Sequence, residues 1–202
     1  MKSSVLLWGL ANGVMMLTIA GTFWFGLGIA MAAARVHWSI SALSTIVQVG
    51  GCVALIWAAV RLRRRSGFNR SELRQSDGRF TPEARHIMIW FSWTTAAQAV
   101  LIGSVVWLCV SIQAEQIIWP SIGLVVSLHF IPLGKIFHVR AYYTTGGIGS
   151  LLSLATCTSG MGPYAIPLLG AGMVVVMWGT GIWLLCNTGR IADRAVREPW
   201  SV

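Results

Sequence analysis

Apolar residues run along this chain in long, nearly unbroken stretches, and polar residues collect between them. The stretches cover residues 6–30, 40–60, 86–112, 117–137, 142–158 and 166–187. At about 1.5 Å per residue, helices of this length match a hydrocarbon core of about 30 Å. The pattern therefore predicts an all-α protein, a bundle of six transmembrane helices forming a single integral membrane domain over residues 1–202. The first stretch follows Lys2 and ends near Ala32-Ala33-Ala34, which looks like a signal-peptidase site. A signal h-region is about 7–15 residues, shorter than this run, so the reading is a retained helix.

Residues 61–85 form the longest hydrophilic segment, with eight arginines against Glu72, Asp77 and Glu83. Ser76-Asp77-Gly78 is a turn signal. Thr81-Pro82-Glu83 reads as an N-cap, a first-turn proline and an acid at the positive helix end, so the third helix starts there. Counting Lys and Arg sets the orientation. Lys2, the eight arginines, Lys135, Arg140 and the tail arginines 190, 194 and 197 fall on one side and Arg35 alone on the other, fourteen to one. By the positive-inside rule both termini and the basic segment are cytoplasmic. Arg61, Arg63, Arg64 and Arg65 then suit anionic lipid headgroups. A basic run can also bind nucleic acid, but the juxtamembrane position accounts for this one, and no nucleic-acid partner is assigned.

Composition agrees. The chain is 55% hydrophobic and 10% charged, against about a quarter charged in soluble domains. That is too little polar side chain to cover a water-facing surface. Eleven Trp suit the bilayer interface. Cys52, Cys109, Cys157 and Cys186 all lie in apolar stretches, without the spacing of a zinc site or a C-x-x-C pair. They read as packing residues. Cys109 and Cys157 fall at similar depth near the outer face, which leaves a disulfide between them open, although nothing in the sequence supports one.

Every Asp and Glu falls in a loop, turn or tail. Proton relays in membranes commonly use buried Asp, Glu or His, so His129 would have to act almost alone, which argues against an ion pump. An imidazole in apolar surroundings stays neutral and offers one donor and one acceptor. Pro132 lacks an N–H and frees the carbonyl of Leu128 next to His129. His129 with Gln98, Gln48, Ser127 and Tyr143 makes a candidate polar ligand site. The plainer reading is a histidine satisfied by Gln48, Gln98 or Ser127 that fixes helix packing. Gly9 and Gly13, and Gly146, Gly147 and Gly149 with Ser150 and Ser153, are small-residue faces for close helix contact or self-association; the second set reads alternatively as a substrate passage lined by hydroxyls. Tyr142-Tyr143 reads as a pair of rings at headgroup depth.

Two specific chemistries fit poorly. A membrane haem normally takes two histidines at similar depth, and only His129 is deep, so no cofactor is assigned. The rhomboid type of serine protease would need its histidine on the sixth helix, which has none. There is no H-E-x-x-H, Walker loop or acidic pair, so no metal site is assigned.

Leu128-His129-Phe130-Ile131-Pro132-Leu133-Gly134-Lys135-Ile136-Phe137, followed by Tyr142-Tyr143 and Gly146, resembles a segment of small bacterial multi-pass membrane proteins. In these an H-F-x-P-L run precedes a tyrosine and a glycine. The likeness covers about a tenth of the chain and matches His129, Pro132 and Tyr143. It implies a bacterial plasma (inner) membrane and brings no activity with it. Three functions stay open. One is binding or transport of a small molecule around His129. A second is a non-catalytic membrane partner that packs through its glycine faces. A membrane enzyme, disfavoured by the missing carboxylates, is the third.

Overall fold

The computed structural model describes residues 3–32, 38–67, 81–137, 139–158 and 162–191. Six helices account for nearly all of them: α1 Ser3–Ala32, α2 Trp38–Arg65, α3 Pro82–Ser111, α4 Ile118–Phe137, α5 Arg140–Thr158 and α6 Ala165–Cys186. One-turn 3₁₀ helices at Glu115–Ile117 and Gly162–Tyr164 precede α4 and α6. No strand occurs among the described residues. The all-α expectation holds. Five helices are long and apolar enough to cross a membrane: α1, α2, α3, α4 and α6. The expected count of six spans is not reached on that measure, because the 19 residues of α5 carry an arginine and many glycines and hydroxyls.

The helix ends follow local chemistry. The Arg85 N–H donates to Thr81 O at 2.9 Å, so the third helix opens at Thr81 as expected. α2 continues through Arg61, and Arg63, Arg64 and Arg65 lie in its last turn rather than at the start of a loop. Cations there complement the negative end of the helix dipole. α3 ends in a Schellman turn: Ala114 N–H donates to Cys109 O (2.8 Å), Gln113 N–H to Val110 O (3.1 Å), and Gln113 takes a left-handed φ of 57°. Arg35, Ser76-Asp77-Gly78, Ala33-Ala34, His138, Ser159-Gly160-Met161, Arg194 and Arg197 lie outside the described residues.

Successive helices pack together, and α1 closes against α6. The exception is α2 with α3: among the described residues these two, joined by the basic segment, make no substantial pairing. The main helix order through the molecule is thus α2, α1, α6, α5, α4, α3. α1 and α6 run antiparallel, with Gly28 beside Pro167 and Gly170, Gly21 beside Met177 and Trp178, and Val14 beside Gly181. A Cβ on Gly170 would stand 2.5 Å from Trp24 O and 3.0 Å from Gly28 Cα, so these backbones touch. α4 and α5 are also antiparallel: Gly134 meets Tyr143, Gly146 meets Ile131 and Ser127 O, and Gly149 meets the Ser127 side chain. The buried core combines Leu10, Val14, Leu17 and Trp24 of α1, Phe130 and Leu133 of α4, Tyr142 of α5, and Leu169, Met173, Met177 and Leu184 of α6.

α5 has an inverted pattern. Thr145, Gly146, Gly149, Ser153 and Thr156 are buried, whereas Ile148 (49%) and Leu151 (69%) are exposed. Water would select the opposite arrangement.

Candidate functional site

α4 stays helical through Pro132, whose missing N–H leaves Leu128 O without its usual partner one turn back. His129 is half-buried on the face turned to α3, and its imidazole lies within hydrogen-bonding reach of the Thr94 main chain. The Thr94 hydroxyl bonds within its own helix, to Trp90 O (2.9 Å) and Phe91 O (3.0 Å). Gln98, also half-buried, sits one turn further along the same stripe of α3. α4 is the helix α3 chiefly packs on among the described residues, so this stripe faces α4. Phe91 and Phe137 close the same seam edge to face, with centroids 6.3 Å apart.

The other three candidates have different neighbours. Ser127 is two residues from His129, about 200° around the helix. It is fully buried towards α5 and α6, where its hydroxyl reaches Met173 Sδ at 3.9 Å. Gln48 is half-buried on α2, and its Nε2 donates to Thr22 O on α1 at 2.7 Å. Tyr143 is exposed with its ring laid against Gly134, where an added Cβ would stand 2.9 Å from Cε2. His129 and Gln98 therefore share one seam, while Ser127, Gln48 and Tyr143 belong to three other contacts. Gln48 and Ser127 have other partners, so of the three residues in the plainer expectation only Gln98 lies on the stripe that faces His129.

The Tyr142-Tyr143 pair divides. Tyr143 faces outward, as a ring at headgroup depth would. Tyr142 is 5% exposed and belongs to the core. It stacks on Phe130 (6.1 Å, 21°), leans on Phe137 (6.2 Å) and brings its hydroxyl against Gly13 of α1. An aromatic ladder thus runs from α5 across α4 to α3, with its tyrosine end on α1.

A seam of hydroxyls between α5 and α6 was half legible: Ser153 belongs to the small-residue face read from the sequence, whereas Thr145, Thr156 and Thr180 were not singled out. Thr145 and Thr180 share a 2.6 Å hydrogen bond across it. The lone threonine between Gly179 and Gly181 was the available signal. Ser153 donates to Gly149 O at 2.9 Å, and Thr156 to Ser153 O at 2.8 Å. Ser150 Oγ is the buried side-chain oxygen left without a partner among the described residues. At the end of α2, Arg61 lies over Trp57 (5.1 Å to the ring centroid) and Arg63 over Trp8 of α1 (5.8 Å). Cations held on indoles at one end of two apolar helices suit a headgroup layer.

Among the described residues no three His, Cys, Asp or Glu side chains gather as metal ligands. The His129 seam offers a neutral donor and acceptor, an amide and a freed carbonyl, with aromatic rings close by. It can hydrogen-bond an uncharged polar group. Compared with known protein families, with curated proteins and with solved structures, the chain matches none.

Proposed function

We propose that this is a six-span protein of the bacterial plasma membrane that binds a small, uncharged, hydrogen-bonding molecule in the seam between α3 and α4. The sixth span is α5, and its inverted pattern supports this: hydroxyls and glycines bury, while Ile148, Leu151 and Leu154 face outward. At about 28 Å it nearly matches the hydrocarbon core. The termini and the arginine-rich segment are cytoplasmic, with Arg61, Arg63, Arg64 and Arg65 at the anionic headgroups.

The observation that carries the binding site is the place of His129, half-buried within reach of the Thr94 main chain on α3, a helix that among the described residues packs chiefly on α4. A ligand offering a carbonyl or hydroxyl can replace the Thr94 contact by moving α3 alone. Gln98 supplies a second hydrogen bond one turn away. Any passage for a transported molecule would follow this seam, because glycine contacts and self-bonded hydroxyls fill the space between α4, α5 and α6.

The same filled interior favours the second reading, a non-catalytic membrane partner that associates with itself or another membrane protein. Native mass spectrometry from mild detergent separates the two. Under the binding reading a specific small adduct is present on the wild type and on Ser127→Ala, weaker on Gln98→Leu and absent from His129→Ala. An adduct kept at full strength by His129→Ala sinks the site. An adduct-free oligomer in every form favours the partner.

A further inference from the structure

The outward face of α2 changes from apolar to cationic along one line. At about 100° per residue, Gly50, Val53, Trp57, Arg61 and Arg64 fall within about 80° of arc, and all five are exposed. Leu55 and Ala59 on the other side are buried, and Gln48 there reaches α1, so the line faces away from the bundle. A Cβ on Gly50 would meet nothing within 4 Å, which leaves a notch in the line. At its cationic end the Arg61 guanidinium rests over the Trp57 ring, 5.1 Å from the centroid. Arg63 turns to the other side, over Trp8 of α1 at 5.8 Å. Residues 61–67 hold four arginines and no acid.

We propose that this line seats one anionic phospholipid, with its phosphate held by Arg61 and Arg64 and an acyl chain laid over Trp57 and Val53 into the Gly50 notch. The proposal deepens the placing of these arginines at the headgroups and rests on it. Residues three apart share a side of a helix, and each guanidinium offers paired N–H donors to phosphate oxygens. Trp57 already holds Arg61, so less side-chain freedom is lost when the phosphate arrives. From Arg61 to Gly50 is about 16 Å of helix, close to one leaflet of a core of about 30 Å. The notch therefore lies where an acyl chain ends. A second copy is the poorer occupant. Two-fold pairing in one membrane through this face would set two arginine clusters side by side, and like charges repel. A soluble phosphate would leave the apolar part of the line unused.

The test titrates the full chain in mild detergent with phosphatidylglycerol, or with phosphatidylcholine of the same chains, and reads the apparent Kd of the first bound lipid by native mass spectrometry. The wild type should bind phosphatidylglycerol about tenfold more tightly, and Arg61→Gln with Arg64→Gln should lose about that factor. Glutamine is a good helix former, so these exposed positions should stay helical. Trp57→Leu keeps every charge and should lose about threefold, because Arg61 is no longer held. Arg85→Gln with Arg190→Gln removes the same charge from exposed arginines of other segments and should change the Kd less than about twofold, since screening is strong beyond about 10 Å. Equal losses in the two double variants mean diffuse attraction, which overturns the site and leaves the headgroup placement standing. A wild type without preference for phosphatidylglycerol overturns both. Displacement of the lipid by millimolar glycerol 3-phosphate would give the site to a soluble phosphate and overturn the proposal. So would a lipid-free dimer that grows stronger in Arg61→Gln with Arg64→Gln, which would give the face to a second copy.

Discussion

Two parts of this bundle are held together by different means. In the quartet α1, α4, α5 and α6, helices approach backbone to backbone at Gly28 and Gly170 and at Gly146. The flanking helices α2 and α3 are held by side chains. Trp178 is wedged between Gly21 and Gly51 and donates to Thr18 O at 3.3 Å, Gln48 reaches Thr22, and Phe137 and His129 reach α3. Lipid is as apolar as leucine, so burying Leu or Ile between helices gains little over leaving it in the bilayer. Close backbone contact and interhelical hydrogen bonds decide which helices are fixed. By that measure the quartet is the rigid body and α3 is the helix most free to move, which is where the His129 seam lies.

The sharpest way to break this comparison is a leucine in each region. Gly170→Leu drives a side chain into Trp24 O and Gly28 Cα, both backbone atoms that cannot rotate away. Overpacking commonly costs about 1–3 kcal/mol, and this site belongs at or above the top of that range. Gly103→Leu on α3 meets nothing within 4 Å and should change stability by less than about 1 kcal/mol. Thermal unfolding in detergent, followed by Trp fluorescence, checks the pair. Equal losses would mean that α3 is as tightly placed as the quartet.

A second test asks whether the quartet is one packed unit. A Cβ at Gly13 would overlap the Tyr142 hydroxyl. Gly13→Ala should cost about 1–2 kcal/mol. In the Tyr142→Phe background the oxygen is gone, and the same substitution should be close to neutral. The coupling energy from the double-mutant cycle should be about 1 kcal/mol or more. Additive losses would show that α1 and α5 do not meet at this point.

The run of apolar residues made the helices legible, because a span of about 30 Å leaves few other solutions. Thr81-Pro82 marked the start of α3 for the same local reasons that operate in soluble proteins. The partners of buried polar groups were less legible. His129 and Ser127 are two residues apart, but a helix turns them to opposite sides, so one faces α3 and the other α6. Gln48 was grouped with His129 by polarity, and polarity does not report which neighbour a helix face meets. Tyr142 and Tyr143 look alike in sequence, yet only the register of α5 against Gly13 and Gly134 decides which one is buried. The end of α2 was placed five residues early, at residue 60 rather than Arg65, because arginine reads as loop by hydropathy although it is a good helix former.

The smallest expected effect compares one hydrogen bond from each region. Thr145 and Thr180 in the quartet have two hydroxyl protons for three contacts: each other at 2.6 Å, Ala141 O at 2.9 Å and Val176 O at 2.8 Å. The shared bond therefore forms at the expense of one of the carbonyl bonds. Thr145→Val keeps the shape and lets the Thr180 proton return to Val176 O. The loss should be about 0.6 kcal/mol, the average for interhelical bonds in a membrane. Adding Thr180→Val should cost little more, because the bond is already gone. On the flank, Gln48→Leu removes the 2.7 Å bond to Thr22 O, a carbonyl in the body of α1 that keeps its helical partner. It should cost a similar amount, and the loss should appear as earlier proteolysis of α2 rather than as a lower midpoint for the whole bundle. A fall in the global midpoint larger than that of Thr145→Val would mean that the flank contributes to the cooperative core, and the division between fixed quartet and side-chain-held flank would have to be redrawn to include α2.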